Sequence, residues 1–176
     1  MNIEDFKSKL GAGGARPNQF RVLLTWPGYV NVPDRAYSLL VSGAAVPAST
    51  VNPAIIQYRG REVKLAGERI FDPWTITIVN DTGQSLRQPF EAWMNGMNDL
   101  AGNSGILNPA DYQTDLEVHH LDRNDEVLPG GRYKLVSAFP IQMSEIALQY
   151  AQNDVLEEFT VTFQYQHYIN APVGEL

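Results

Sequence analysis

Three histidines, two adjacent glutamates, one acidic cluster and one glycine-rich tract are the residues whose types and spacing could do chemistry. His119 and His120 are neighbours in "TDLEVHHL" (114–121). On a strand they point to opposite faces and cannot share a metal, and His167 is remote. Partly exposed sheet histidines are the expectation for all three. Glu157 and Glu158 also diverge on a strand, which makes them a poor acid/base pair and better charged guards beside a sticky run. "DRNDE" (122–126) opens like a calcium loop, with Asp122, Asn124 and Glu126 alternating. Its sixth position is Val127 where glycine is needed, and its twelfth is Tyr133 where glutamate is needed. A solvated hairpin turn is expected instead. "GAGG" (11–14) lacks the Gly-Lys-Ser/Thr ending and preceding strand of a phosphate loop, and reads as a flexible linker. No serine sits in a nucleophile-elbow context. The sequence therefore recommends no enzyme, and no cofactor or metal is expected.

Composition narrows the class further. The chain has 176 residues, 44% hydrophobic and 19% charged, which suits one globular domain over 1–176. Flexible segments are expected at 1–18 and 169–176, with residues 2–10 able to make one short amphipathic turn. A net charge of -7, from 20 acidic and 13 basic residues, is unlike a nucleic-acid binder. The absence of cysteine excludes disulfides, zinc-thiolate sites and thiol catalysis, and fits a reducing compartment. "MNIEDFKSKLGAGG" has neither a basic nor an apolar leader region, and no apolar run suits a membrane helix. The expectation is a soluble, unprocessed chain made in the cytosol, without membrane insertion.

The elements that would position these residues are mostly strands. "QFRVLLTW" (19–26) alternates, and "AYSLLVSG" (36–43) is a short strand. "IIQYRGREVKL" (55–65) reads as a hairpin about Arg59-Gly60. "RIFDPWTITIVND" (69–81) is a strong strand with Trp74, Ile76 and Ile78 inward, Thr75 and Thr77 outward, and Pro73 near its start or an edge. A helix is expected at about 85–97, where Leu86, Phe90, Trp93, Met94 and Met97 share a face. Ser85 and Gln88 have capping-box spacing, and Pro89 falls in the first turn. A loop (99–112) leads to strands at 114–121 and 132–139. Residues 140–150 are extended, with a bulge or turn near Ser144. In "DVLEEFTVTFQYQHY" (154–168), Phe159, Val161, Phe163 and Tyr165 alternate with Thr160, Thr162, Gln164 and Gln166. A run this long and neutral is a template for uncontrolled pairing if its edge is free. The total is about seven strands and one substantial helix, a mainly β chain.

These blocks, in this order, resemble the tail-tube proteins of contractile-tailed bacteriophages of the T-even type. The resemblance begins at "ARPNQFRV" (15–22) and "VPAS" (46–49) and is most specific at "GERIFDPWTITIVND" (67–81). It continues through the helix carrying Arg87, Phe90 and Trp93 to "AFPIQMSEIALQYAQNDVLEEFTVTFQY" (138–165). It departs at Tyr150, near which the family usually has Trp. The resemblance implies an antiparallel β-barrel or sandwich with one flanking helix, closed into six-fold rings that stack into a hollow tube. The tube would lie inside a contractile sheath in a virion tail, assembled in the cytoplasm of the bacterial host. Its partners would be its own copies, the sheath protein, baseplate and tail-terminator proteins, and a tape-measure protein in the lumen during assembly. Duplex DNA would pass through without specific binding. Type VI secretion tubes and pyocin-like injection particles share the fold and stand as the alternative. A monomeric β-sandwich binding module is a third reading, disfavoured by aromatics that fall on inward positions.

On this resemblance the long alternating strand is an inter-subunit element whose neutral face lines the channel. The lumen candidates are Thr75, Thr77, Thr160, Thr162, Gln164 and Gln166. Residues 51–68 are expected to reach a neighbouring subunit, with Ile55, Ile56, Tyr58, Arg59, Arg61 and Lys64 as contact candidates. "IIQYRGREVKL" has too little apolar surface for a core strand pair.

Overall fold

Alternation of aromatic and β-branched residues with threonine and glutamine commits most of the chain to strands with one buried face. The computed structural model describes residues 2–10, 14–32, 36–151 and 153–170. Residues 11–13 of the glycine tract and the tail from 171 onward lie outside the described residues. The elements in order are α1 (Ile3–Lys9), β1 (Phe20–Leu23), β2 (Val41–Ala44), β3 (Ser49–Tyr58), β4 (Arg61–Phe71) and β5 (Trp74–Val79). There follow α2 (Arg87–Met97), α3 (Pro109–Tyr112), β6 (Thr114–Leu121), β7 (Val127–Met143), β8 (Glu158–Gln164) and β9 (His167–Asn170).

One antiparallel sheet runs β1-β6-β7-β8-β5-β2, with β9 also on β7, while β3 and β4 pair only with each other. The sheet wraps its core because β7 changes partners. Its first part pairs with β6 and β9, and from Phe139 it pairs with β8. The bend lies at Ser137, a non-glycine residue at φ 54. The backbone N–H of Ser137 donates to the Asp115 carboxylate at 3.0 Å, so a side chain replaces the ladder bond that the bulge breaks.

The inward phases meet as the sequence requires. Trp74, Ile76, Ile78, Phe159, Val161 and Phe163 are buried, together with Leu86, Phe90 and Trp93 of the α2 segment and Leu116 and Leu135 across the core. The aromatics touch one another: Trp26–Phe90 centroids are 4.7 Å apart, Trp74–Phe163 5.7 Å and Phe90–Phe163 5.8 Å. Tilted and edge contacts of this kind add about 0.5–1.5 kcal/mol per pair beyond burial. The Trp74 indole N–H donates to the Ala45 carbonyl (2.6 Å) and that of Trp93 to the Tyr112 carbonyl (2.8 Å).

Several boundaries differ from the sequence reading. The strand read at 69–81 is two strands, because Asp72-Pro73 ends β4 and starts β5 in another sheet. The run at 154–168 is also two, β8 and β9, joined through Tyr165 and Gln166. β8 is central, paired with β5 on one side and β7 on the other. Its edges are therefore satisfied within the chain and need no neighbour, which corrects its reading as an inter-subunit strand. β9 carries strand into residues 169–170, expected to be flexible, whereas α1 matches the short amphipathic turn expected at 2–10, its Asn2 side chain accepting from the Glu4 N–H. α2 begins at Arg87 without the expected capping box; the Ser85 N–H instead donates to Asp81 at 2.7 Å. Residues 36–40 form a 3-10 turn rather than strand. α3 interrupts the 99–112 loop, and β7 ends at Met143, so the expected extension to 150 is absent. Ser144 marks that exit, its N–H on the Thr160 carbonyl at 2.9 Å.

Candidate assembly surfaces and channel wall

The β3–β4 hairpin covers no core. Residues 50–70 are exposed on both faces, and only its root is partly covered. Cross-strand pairs place Tyr58/Arg61, Ile56/Val63 and Ala54/Leu65 on one face and Gln57/Glu62 and Ile55/Lys64 on the other. Ile55 and Ile56 are each 52% exposed. The turn is tight because Arg59 (φ 49) and Gly60 (φ 81) both take the left-handed conformation of a two-residue hairpin loop. At the root, Phe71 packs on Tyr165 and Tyr168, and the Ser49 hydroxyl lies 3.3 Å from that of Tyr168. Near it, a bulge opposite Asn52 contains Gly67, where a Cβ would lie 2.5 Å from the Asn52 carbonyl oxygen. All six contact candidates named from sequence sit on this arm.

The outer face of β5 and β8 is a neutral wall. Thr75 stands opposite Thr162 and Thr77 opposite Thr160. The Thr75 and Thr162 hydroxyls are 2.9 Å apart. Gln164 continues this face beside Phe139 of β7, and Gln142 flanks Thr162. Gln166 does not belong to it, lying exposed past the end of β8 in the turn to β9. The face ends in one carboxylate, Glu158, which accepts from the Ser42 hydroxyl at 3.1 Å.

The opposite outer wall, on β1, β6 and β7, is ionic. Arg132 donates to both Glu117 oxygens at 3.1 Å, and His119 Nε2 lies 2.8 Å from the same carboxylate. Arg21 pairs in register with His119. Lys134 meets Asp115 at 3.0 Å. Burial pushes the Asp115 carboxyl up, but the hydrogen bonds from Ser137 and Lys134 and the charges of Lys134 and His167 outweigh it, leaving its pKa below the ordinary value. His119 is buried, unlike the partly exposed histidine expected, while His120 turns the other way onto the Arg16 carbonyl at 2.9 Å. The Asp122 carboxylate accepts the Asn124 and Glu126 N–H groups at 2.7 and 3.0 Å, which makes 122–126 a hairpin turn. Glu157 accepts from the Asn80 amide at 2.9 Å. Among the described residues, no cluster of His, Asp and Glu could hold a metal, and no helix is long and apolar enough to cross a membrane.

Sequence reasoning missed one surface. Residues 144–151 and 153–157 lie outside the sheet without regular structure, and Leu148, Tyr150, Val155 and Leu156 are strongly exposed. The available signal was the loss of alternation after Ser144 while apolar residues continued.

The β3–β4 arm and the 144–151 and 153–157 stretches are thus apolar surfaces that the subunit leaves uncovered. Residues 15–171 match the family model described as "Phage tail tube protein". The chain belongs to the phage tail tube protein family. It is a structural virion protein and not an enzyme. Tail tube protein gp19 of Enterobacteria phage T4 is 26% identical over 167 residues, covering 92% of this chain and 96% of that protein. The tail tube protein of Serratia phage KSP90 is 25% identical over 167 residues, with 93% of each chain covered. Among solved structures, a chain of the anti-feeding prophage baseplate superposes with TM-score 0.68 at 13% identity, over 93% of this chain and 99% of that one. A chain of the sheath–tube complex of the extracellular contractile injection system PVC gives 0.61 at 15% identity, over 94% and 97%. At these identities the superpositions speak for the tail tube fold alone.

Proposed function

We propose that this protein forms closed six-fold rings that stack into the inner tube of a contractile phage tail, the conduit for DNA ejection. The observation that carries this reading is the β3–β4 arm. Ile55, Ile56, Tyr58, Val63 and Leu65 are all exposed on it. An apolar two-faced arm lowers the free energy only when another surface covers it. Contact with a neighbouring subunit through Ile55, Ile56, Tyr58, Arg59, Arg61 and Lys64 provides that cover. The family and the injection-system structures, one of them from a baseplate described as 6-fold symmetrised, support the same assembly. Sheath, baseplate and tail-terminator proteins are its partners outside and at the ends. A tape-measure protein occupies the lumen during assembly in the host cytoplasm.

The channel wall is the neutral face. Duplex DNA carries one negative charge per roughly 1.7 Å of axis and binds lysine and arginine in a salt-dependent way. The ionic wall presents Arg21, Arg132 and Lys134, whereas Thr75, Thr77, Thr160, Thr162 and Gln164 offer no cation. Rapid transit favours the second, with Gln166 at its rim.

Replacing residues 51–68 by a Gly-Ser linker tests the reading. The expected product is a folded subunit that does not polymerise, while the unaltered protein forms tubes when concentrated or seeded. Normal tubes from the shortened chain would overturn it. A type VI secretion or pyocin-like tube is the second reading, favoured by the fold likeness to the injection systems. Sheath, tape-measure and capsid genes beside this one support the phage tail, and a secretion ATPase gene supports the alternative.

A further inference from the structure

We infer that the hairpin tip of one copy seats in a groove formed by residues 146–150 and 154–158 of the next copy, arginine against carboxylate. This rests on the stacking role of the hairpin and adds the surface that receives it. Position is the first argument. β8 begins at Glu158, where the 144–157 segment returns to the sheet, and ends at Gln164, beside the hairpin root at Phe71, Tyr165 and Tyr168. Seven strand residues span about 23 Å, so arm and groove leave opposite ends of one sheet. Such elements cannot meet within a copy but match head to tail between copies, the heterologous arrangement that extends without limit.

Charge is the second argument. The 144–158 segment carries Glu145, Asp154, Glu157 and Glu158 and neither lysine nor arginine. The arm carries Arg59, Arg61, Lys64 and Arg69 against Glu62 and Glu68, and three of these cations cluster at the tip. Arg59, Arg61 and Lys64 outnumber Glu62 there, which leaves the tip positive. Apolar surface is the third. The groove encloses about 1080 Å³ between one limb with Ile146, Leu148 and Tyr150 and another with Asp154, Val155 and Leu156. Tyr150 and Leu148 are wholly or largely exposed. The arm offers Ile56, Tyr58 and Val63 beside its charges. The rigid two-residue turn presents these groups without an ordering cost at binding. Single exposed ion pairs are weak, but contacts made by every copy of a ring act together.

Charge reversal tests the pairing, with circular dichroism confirming that each subunit is folded. Arg59→Glu/Arg61→Glu on the arm should raise the concentration needed for tubes about tenfold or more, and Asp154→Arg/Glu157→Arg on the groove should do the same. All four changes in one chain should bring it back to within about threefold of the unaltered protein, as coupled sites do. Asp154 makes no hydrogen bond or ion pair among the described residues, so Asp154→Arg alone serves if the double groove variant fails to fold. If the arm variant blocks tubes while the groove variant does not, the inference falls and the stacking role stands. If neither matters, both fall. A combined variant that stays defective also overturns the pairing.

Discussion

The hydroxyl oxygens of Thr75 and Thr162 lie 2.9 Å apart across the β5–β8 ladder, the centre of an outer face whose strands carry no cation. One step along β8, Gln164 is half-buried on the same face. A lysine there repeats around each ring and along the tail, so a weak phosphate contact becomes a collective brake. Gln164→Lys particles should assemble normally and eject DNA more slowly, more so at low salt. Unchanged ejection from assembled particles would place this face elsewhere.

Gly67 lies within the arm, packed against the backbone of Asn52. A Cβ there meets a backbone oxygen at 2.5 Å, so the hairpin register must shift, yet no core residue lies nearby. Gly67→Ala should leave the thermal unfolding midpoint of the unassembled subunit unchanged, within about 0.5 kcal/mol. Tube formation, read by sedimentation, should be lost or strongly reduced.

Gly105 is the converse case. A Cβ there would lie 1.9 Å from the Met97 carbonyl oxygen, and the next residue, Ile106, donates to the Gly96 carbonyl at 3.0 Å. The loop must move off the end of α2. Gly105→Ala should destabilise the subunit by about 1–3 kcal/mol in urea unfolding, the range for overpacking. A midpoint equal to that of the unaltered protein would contradict the contact.

Asp115 gives a pH dependence of defined sign. Its folded pKa lies below the ordinary aspartate value of about 3.9. A depressed pKa contributes stability that is full above the unfolded value and is lost as pH falls through the folded one. The carboxylate is 44% exposed, so solvent screening holds the contribution to no more than about 1 kcal/mol. Asp115→Asn should therefore be less stable at neutral pH, and the difference should shrink in acid near the ordinary aspartate value and vanish only below the lower folded one. A difference that persists in strong acid would mean that the carboxylate charge does not account for it.

Much of the fold was legible because burial on a strand has period two. Trp74, Ile76 and Ile78, and Phe159, Val161 and Phe163, declared their inward face without any knowledge of partners. Phe90 and Trp93 did the same at helical spacing. The hairpin was legible too, since Arg59-Gly60 suits only a tight turn and the flanking residues lack a core face. Corners were harder to see. Alternation runs unbroken to Tyr165, and only the step from Tyr165 to Tyr168 changes parity as the chain passes from β8 to β9.

The sequence by itself determined which residues point inward, that the chain is mainly β, and, through the order of its blocks, the family to which it belongs. Tertiary structure decided which strands pair, that β8 is central and not an edge, and that one outer wall is neutral while the other is ionic. It also decided that the arm and the acidic groove leave opposite ends of the same sheet. The reason is physical: periodicity is a property of neighbours along the chain and separates buried from exposed. Two exposed walls look alike to it until long-range pairing through β7, bent at Ser137, assigns each wall its place.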